Sequence, residues 1–170
     1  MTGIELRQLG PDDAVAYREL RLRALRDHPE AFVTSYEDEL ALPAERFVER
    51  LSAGPRATFG AFVDGRLVGT AATYQDRARG KVRHKAWLVA VYVAPEARGR
   101  GVGRAVCQAA IDAARGWDGV EQIYLGVAVP NEPAVALYRS MGFVEYGREP
   151  RAIKLPDRYV DEFLMVLRLA

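Results

Sequence analysis

The sequence predicts an α/β (α+β) fold, in which a mixed sheet of about seven strands carries helices on both of its faces. The first half of the chain contains a clear β-hairpin, whereas the second half repeats strand–helix–strand units. A hairpin pairs its strands antiparallel and a strand–helix–strand unit pairs them parallel, so one sheet must contain both directions. The length of 170 residues suits a single domain, residues 1–170, that buries a hydrophobic core.

The N-terminal part predicts a strand followed by two helices. "IELRQL" (4–9) alternates apolar and polar residues, as a strand with one buried face does. The first helix opens with Pro11 and two acidic residues, which suit a helix N-terminus, and it ends at Pro29. Its apolar residues at near-helical spacing are Val15, Leu22 and Leu25. A shorter helix starts at Pro43 and carries the apolar residues Phe47, Val48 and Leu51.

The middle of the chain predicts a hairpin and a central strand. Asp64 and Gly65 lie between two runs rich in β-formers, and this dipeptide suits a type I′ turn. "HKAWLVAVYV" (84–93) is apolar nearly throughout. We therefore expect it to be a buried strand at the centre of the sheet.

Two further helices have clear boundaries. One runs from Val102 to about Gly116, and the other has Pro133 near its start and Gly142 after its end. The apolar residues that mark one face of the earlier helix are Ala105, Val106, Ala109 and Ala113. A strand lies between these helices and two strands close the chain. The expected element order is therefore β-α-α-β-β-β-α-β-α-β-β.

Composition and charge exclude several classes of protein. Hydrophobic residues make up 49% and charged residues 28% of the chain, which is typical of a soluble globular protein. The net charge of +1 disfavours a nucleic-acid partner. A membrane span is not expected, because the sequence contains no run of about 18 apolar residues. The stretch "MTGIELRQLG" lacks a signal pattern and Cys107 is the single cysteine, so we expect a cytoplasmic location. His28 and His84 lack metal-ligand spacing with Cys107, so no metal site is expected.

One stretch combines bare backbone with positive charge at the start of a helix: "YVAPEARGRGVGRAV" (92–106). It lacks the Lys-Ser/Thr of a P-loop and the third glycine of a dinucleotide fingerprint. The first amides of a helix have no internal partners, glycines let an anion approach them, and arginines add charge-assisted hydrogen bonds. The stretch therefore predicts a pyrophosphate site rather than a solvated turn. Its residues are Arg98, Gly99, Arg100, Gly101, Val102, Gly103 and Arg104.

This stretch resembles the main motif of the GNAT superfamily, the acyl-CoA-dependent N-acyltransferases. In that family, Arg/Gln-x-x-Gly-x-Gly/Ala follows a strand and a Pro-Glu turn. "NEPAVALYRSMGFVEYG" (131–147) is similar to the family's second signature, Asn-x-x-Ala-x-x-Leu-Tyr-x-x-x-Gly-Phe. The separation of the two motifs and the element order resemble the family over nearly the whole chain. The resemblance implies the family fold and acetyl-CoA as the acyl donor.

The resemblance also implies roles for individual residues. The amides of residues 99–104 would hold the CoA pyrophosphate, and the two central strands would separate to admit the pantetheine arm. Tyr138 would be the general acid that protonates the departing thiolate. The residues expected along the arm are Val91, Tyr92, Val93, Asn131 and Ala134.

The general base is left open. Many members of the family place a glutamate on the central strand, but residues 87–90 contain no carboxylate. A water chain, His84, Tyr92 and Glu39 are the alternatives. The acidic residues Glu37, Asp38 and Glu39 either attract a cationic amine or form a solvated loop. In the last strand, alternation points one of Asp161 and Glu162 inward and the other outward.

We therefore interpret the chain as an acetyltransferase that moves acetyl from acetyl-CoA to a primary amine of a small molecule or a peptide by direct attack. A non-catalytic CoA-binding regulatory module on the same fold is the alternative, because the strand carboxylate is missing. An RNA-associated acyltransferase is a second alternative, which the near-zero net charge disfavours. No nucleic-acid or membrane partner is expected, and a homodimer would be in keeping with the family.

Overall fold

The computed structural model describes residues 3–52 and 54–169, so Met1 and Thr2 of the N-terminal stretch lie outside the described residues. Seven strands and five α-helices follow one another in the predicted order, with one additional short helix, α2. The strands are β1 Glu5–Gln8, β2 Arg56–Val63, β3 Arg66–Gln75, β4 Lys85–Val93, β5 Gln122–Ala128, β6 Val144–Lys154 and β7 Tyr159–Arg168. The helices are α1 Ala14–Asp27, α2 Tyr36–Leu40, α3 Ala44–Arg50, α4 Val102–Arg115 and α5 Glu132–Ser140.

All seven strands form one sheet in the order β1-β2-β3-β4-β5-β7-β6. Only β4 and β5 pair in parallel, and every other pair of neighbours is antiparallel. The predicted mixed sheet of seven strands is confirmed, with β4 at its centre. Because β7 lies between β5 and β6, the last strand of the chain comes next to the site described below.

The predicted hairpin turn is confirmed in detail. Val63 of β2 pairs with Arg66 of β3, which leaves a loop of two residues, Asp64 and Gly65. Both have positive φ, 51° and 74°. This is the backbone of a type I′ turn, whose twist matches that of the two strands it joins.

The sheet has helices on both faces, as two neighbouring glycines indicate. A Cβ at Gly60 would lie 2.6 Å from side-chain atoms of Leu9 and Leu67, in the core shared with α1 and α3. A Cβ at Gly69 would lie 2.6 Å from Val102 of α4. Gly60 pairs with Thr70, so Gly60 and Gly69 face opposite sides of the sheet. Helices α1 and α3 therefore cover one face, and α4 covers the other.

The buried face of α1 differs from the prediction at two positions. Leu25 is buried, but Leu22 is only partly buried and Val15 is 73% exposed. The buried positions are Ala14, Tyr17, Leu20, Ala24 and Leu25. Tyr17 makes an edge contact with Phe47 of α3, with 6.4 Å between ring centroids. Tyr17 is therefore a core residue of α1, although it was not among the apolar positions predicted for the buried face, and Val15 is not one.

The buried face of α4 was predicted one position away from where it lies. Val106 is buried as expected, whereas Ala105, Ala109 and Ala113 are only partly buried. The fully buried residues are Val102, Val106, Cys107, Ala110, Ile111 and Ala114. Alanine fits either the centre or the border of a helix–sheet interface, so a helix rich in alanine defines its buried face poorly. No helix within residues 3–52 and 54–169 is long and apolar enough to cross a membrane.

Phe47→Ala is expected to destabilise the fold strongly, whereas Val48→Ala on the same helix serves as its control. Phe47 is fully buried against Tyr17, and Val48 is 40% exposed. We expect a loss of about 3–5 kcal/mol of unfolding free energy for Phe47→Ala and less than about 0.5 kcal/mol for Val48→Ala. Urea denaturation followed by circular dichroism measures both. Equal losses in the two variants would contradict the packing of α3 described above.

Candidate active site

The site begins where β4 and β5 separate. These strands pair only from Lys85 to Trp87 on β4 and from Gln122 to Tyr124 on β5. Beyond Trp87 the register of β4 against β3 shifts, and Ala90 there has φ of 54°. Such a β-bulge bends the strand that carries it. The expected separation of the two central strands is therefore present, and it opens a cleft between them.

The cleft has a volume of about 580 Å³. Its walls come from the C-terminal halves of β4 and β5, the glycine–arginine turn, the first turn of α4, one face of α5 and, after α1, residues His28, Glu30, Ala31 and Phe32. Of the predicted site residues, only Arg100 and Arg104 are not among those that line it. Those that do are Val91, Tyr92, Val93, Arg98, Gly99, Gly101, Val102, Gly103, Asn131, Ala134 and Tyr138.

The glycine–arginine turn presents main-chain donors to the cleft. Gly99 and Gly101 have φ of 73° and 78°, and a Cβ at either position would have no atom within 4 Å. Glycine is therefore favoured there by backbone conformation rather than by crowding. Ala105 N–H is the first amide to donate back into α4, to Gly101 O at 3.0 Å. The amides of residues 102–104 accordingly have no partner within the helix and carry the positive end of its dipole.

The side chains of Arg98 and Arg104 in the turn form hydrogen bonds with other residues of the protein. Arg98 Nε donates to Val93 O at 3.0 Å, and its Nη2 lies 3.2 Å from His28 Nε2. Arg104 Nη2 donates to Ser140 Oγ at 2.5 Å, which links α4 to α5. Arg98 thus bridges the cleft wall and the end of α1, while the Arg104 side chain fixes α5 beside the turn.

The last residues of β4 offer main-chain groups to the cleft. Ala94 N–H donates to Val68 O of β3 at 2.8 Å. Because main-chain groups alternate in direction along a strand, those of Val91 and Val93 point away from β3. That direction is the side on which β5 has separated. Val93 O accepts from Arg98, so Val91 retains both a donor and an acceptor at this edge.

Asn131 and Tyr138 reach the cleft from α5. Asn131 is the N-cap of α5, and its Oδ1 accepts from Ala134 N–H at 3.4 Å. Tyr138 lies about two turns further along and is 6% exposed, with its ring packed edge-on against Phe143. Burial, with a contribution from Cys107, raises the pKa of the Tyr138 phenol, so it stays protonated at neutral pH. Burial also raises the pKa of the Cys107 thiol to about 12, so this cysteine is an uncharged core residue at neutral pH.

Of the three side chains considered as the base, only Tyr92 lines the cleft. Glu39 is 1% exposed and forms ion pairs with Arg50 and, at 3.5 Å, with Arg21. It therefore joins α1, α2 and α3 and belongs neither to a solvated loop nor to the cleft. His84 precedes β4, where its carbonyl accepts from the amides of residues 121 and 122. Burial raises the pKa of the Tyr92 phenol, so Tyr92 would be a poor base at neutral pH.

The two acidic residues of β7 face opposite sides of the sheet, as alternation predicted. Asp161 accepts from Arg151 N–H at 2.8 Å and from Arg148 Nη2 at 2.8 Å, and these bonds lower the pKa of its carboxyl group. Glu162 lies against Gly126 of β5, where a Cβ would be 2.8 Å from Glu162 Oε2. Burial, followed by the charge of Glu149, raises the pKa of Glu162. Residues 3–52 and 54–169 contain no group of three or more His, Cys, Asp or Glu positioned to hold a metal ion.

Sequence reasoning did not assign several residues of the cleft wall, among them Gly126, nor the Glu162 carboxylate that lies against Gly126. Gly126 lines the cleft, although neither motif includes it. Alternation along β7 left Asp161 and Glu162 equivalent. To decide which of the two faces Gly126, one must know that Ala128 pairs with Glu162. The sequence does not give this register, because it does not show that β5 and β7 are neighbours.

Three known proteins illustrate what the chain resembles. It is 34% identical over 148 residues to a mycothiol acetyltransferase of Thermomonospora curvata, covering 85% of this chain but only 45% of that protein. It is 33% identical over 118 residues to an N-alpha-acetyltransferase of Sulfurisphaera tokodaii, covering 64% of this chain and 71% of that one. The structure of a GCN5-related N-acetyltransferase from Kribbella flavida superposes with a TM-score of 0.81 at 31% identity, covering 98% of each chain.

The family model for the acetyltransferase (GNAT) family matches residues 14–143. The matched range includes α1, the separation of β4 and β5, the glycine–arginine turn and α5 with Tyr138. An enzyme that transfers acetyl groups is therefore supported by fold, by motif and by relatives. The chain belongs to the GNAT family of acetyltransferases.

Proposed function

We propose that this protein transfers the acetyl group of acetyl-CoA to a primary amine, on a small molecule or a peptide, by direct attack in a ternary complex. One observation carries the proposal. A single cleft has amide donors of the turn at one end and the buried phenol of Tyr138 on its α5 wall. A diphosphate-bearing thioester needs both groups, one to hold its charge and one to protonate its sulfur.

The turn supplies the seat for the diphosphate. Amides at a helix N-terminus attract anions, and the left-handed glycines leave open space above them. The main chain of Val91 supplies the donor and acceptor for an extended amide-containing arm, in the manner of an added strand. Asn131 completes this wall, because its Oδ1 is held by Ala134 N–H while its amide nitrogen can donate to the arm.

Tyr138 supplies the proton for the leaving group. An amine nitrogen attacks the carbonyl carbon of the thioester, the C–S bond breaks, and the electron pair leaves with sulfur. The raised pKa keeps the phenol protonated until a thiolate develops beside it. A thiolate that takes the phenolic proton leaves as a thiol, and the phenolate regains a proton from the excess carried by the amide nitrogen.

The relatives' names support an amine acceptor in general, because an N-alpha-acetyltransferase is among them. A CoA-binding module without turnover remains the competing function. Thiol release from acetyl-CoA, measured over spermidine, a peptide with a free N-terminus and small aliphatic amines, separates the two. Acetylation of any amine, identified by mass spectrometry, supports the enzyme. Tight CoA binding without thiol release for any of them would favour the module.

Gly101→Glu is expected to abolish CoA binding, with Gly119→Glu as a matched control. Both glycines have left-handed backbones, with φ of 78° and 76°, and open space around the Cβ position. The two substitutions therefore cost similar backbone strain. Only the first places a carboxylate at the helix N-terminus where the diphosphate is proposed to bind. Isothermal titration with CoA measures both, and unchanged affinity in Gly101→Glu would contradict this placement.

Tyr138→Phe is expected to lower turnover by about 10²–10⁴-fold while changing the affinity for acetyl-CoA only slightly. The substitution removes the proton donor and keeps the ring packed against Phe143. Tyr159→Phe, at an exposed position of β7, is the control and should leave turnover unchanged. Steady-state kinetics and equilibrium binding give the two quantities. A parallel loss of affinity and turnover would make Tyr138 a binding residue.

A further inference from the structure

The carboxylate of Glu162 lies against a residue of the cleft wall that has no side chain, although Glu162 itself is not among the lining residues. Gly126 of β5 lines the cleft. A Cβ on this residue would lie 2.8 Å from Oε2 and 3.4 Å from Cδ of Glu162. The glycine therefore makes room for a carboxylate that reaches across from β7. Although Glu162 belongs to another strand, its charged group lies at the position of a β5 side chain.

Within residues 3–52 and 54–169, the carboxylate of Glu162 has no ion-pair partner. Asp161 is bound by Arg148, and Glu39 by Arg50 and Arg21, whereas Glu162 forms no ion pair with any residue in the described part of the chain. The strand residues beside it are Ala128 and Gly126 on β5 and Glu149 on β6. Of these only Glu149 titrates, and its like charge acts in the same direction as burial, so both raise the pKa of Glu162.

Glu162 and Tyr138 lie on opposite faces of the sheet. Helix α5 carries Tyr138 and is joined to α4 by the hydrogen bond from Arg104 to Ser140, so Tyr138 lies on the α4 side of the sheet, with Leu125 and Val127 of β5 in the same core. Gly126, between them, faces the other side, which is the face that Trp87 and Tyr124 share. An amine that enters from the face of Glu162 would thus attack the thioester from the side opposite to the phenol.

We propose that Glu162 is the general base that removes a proton from the acceptor ammonium group. This proposal rests on the proposed function. One N–H bond of the ammonium breaks and its proton passes to a carboxylate oxygen of Glu162, which frees the nitrogen lone pair to attack the carbonyl carbon. The C–S bond then breaks and sulfur leaves with a proton from Tyr138. The carboxylic acid returns its proton to solvent, so the overall reaction releases one proton per ammonium acetylated.

The environment of Glu162 suits this task. A solvated glutamate has a pKa of about 4.3 and an alkylammonium about 10.4, so an ordinary carboxylate is a weak base toward such an acid. Burial and the neighbouring charge of Glu149 narrow this difference. An unpaired carboxylate also attracts a cation, so Glu162 favours a charged amine over a neutral alcohol as the acceptor.

Glu162→Gln tests the proposal and keeps the shape of the side chain. We expect kcat/KM at pH 7 to fall by about 10²–10⁴-fold for the amine that the wild type acetylates, with acetyl-CoA affinity unchanged. The variant depends on amine already deprotonated in solution, and that fraction rises about tenfold per pH unit. The deficit should therefore shrink steadily toward pH 10. The amines tested are spermidine, a peptide with a free N-terminus and small aliphatic amines.

Asp161→Asn is the matched control, because its carboxylate lies on the same strand but on the opposite face. It should keep the wild-type rate and pH profile. Glu162→Asp, which retains a carboxylate one methylene shorter, should keep the wild-type profile at a lower rate. A Glu162→Gln deficit no larger than that of Asp161→Asn, or one that is constant with pH, would overturn the base assignment alone. A wild type that binds acetyl-CoA and acetylates no amine would instead overturn the proposed function and the base together.

Discussion

Strands β4 and β5 are hydrogen-bonded from Lys85 to Trp87 and then separate, and the rest of the site depends on this separation. A central strand that leaves its neighbour exposes main-chain donors and acceptors inside the molecule. Such groups need partners, which an extended molecule with amide groups can provide. The bulge at Ala90 accompanies the separation, since a bulge bends the strand that carries it. The path of the backbone therefore creates the cleft, and the side chains then line it.

The separation also explains the composition of β4. Its apolar sequence predicted burial on both faces, but Val89, Val91 and Val93 are only partly buried because they line the cleft. Apolar walls keep water away from the edge groups of the strand, which strengthens hydrogen bonds made there. The same residues would be expected in a buried parallel strand, so the sequence does not distinguish a covered strand from one that lines a cleft.

Much of the fold could be predicted from local chemistry. Asp64-Gly65 specifies its turn, and Pro133 with Gly142 marks the limits of α5, because each rule depends on a few adjacent residues. Other features depend on distant partners. Nothing about an alanine predicts the positive φ of Ala90, and the buried face of α4 was misplaced because alanines fit several positions. The turn and Tyr138 could be placed from the motifs, whereas Glu162 could not, since its position requires the register of β7 on β5.

Strand β5 controls the environments of both proposed proton-transfer groups. Leu125 and Val127 help to bury Tyr138 on one face, and Gly126 admits Glu162 on the other. Burial raises the pKa of both groups, and the consequences differ. The phenol of Tyr138 stays protonated and can act as an acid, whereas the carboxylate of Glu162 becomes a stronger base. Because the strand lies between them, the two groups cannot exchange a proton directly. In the proposed reaction each group therefore exchanges a proton with the substrates separately: Glu162 takes one from the ammonium and returns it to solvent, and Tyr138 gives one to the departing sulfur.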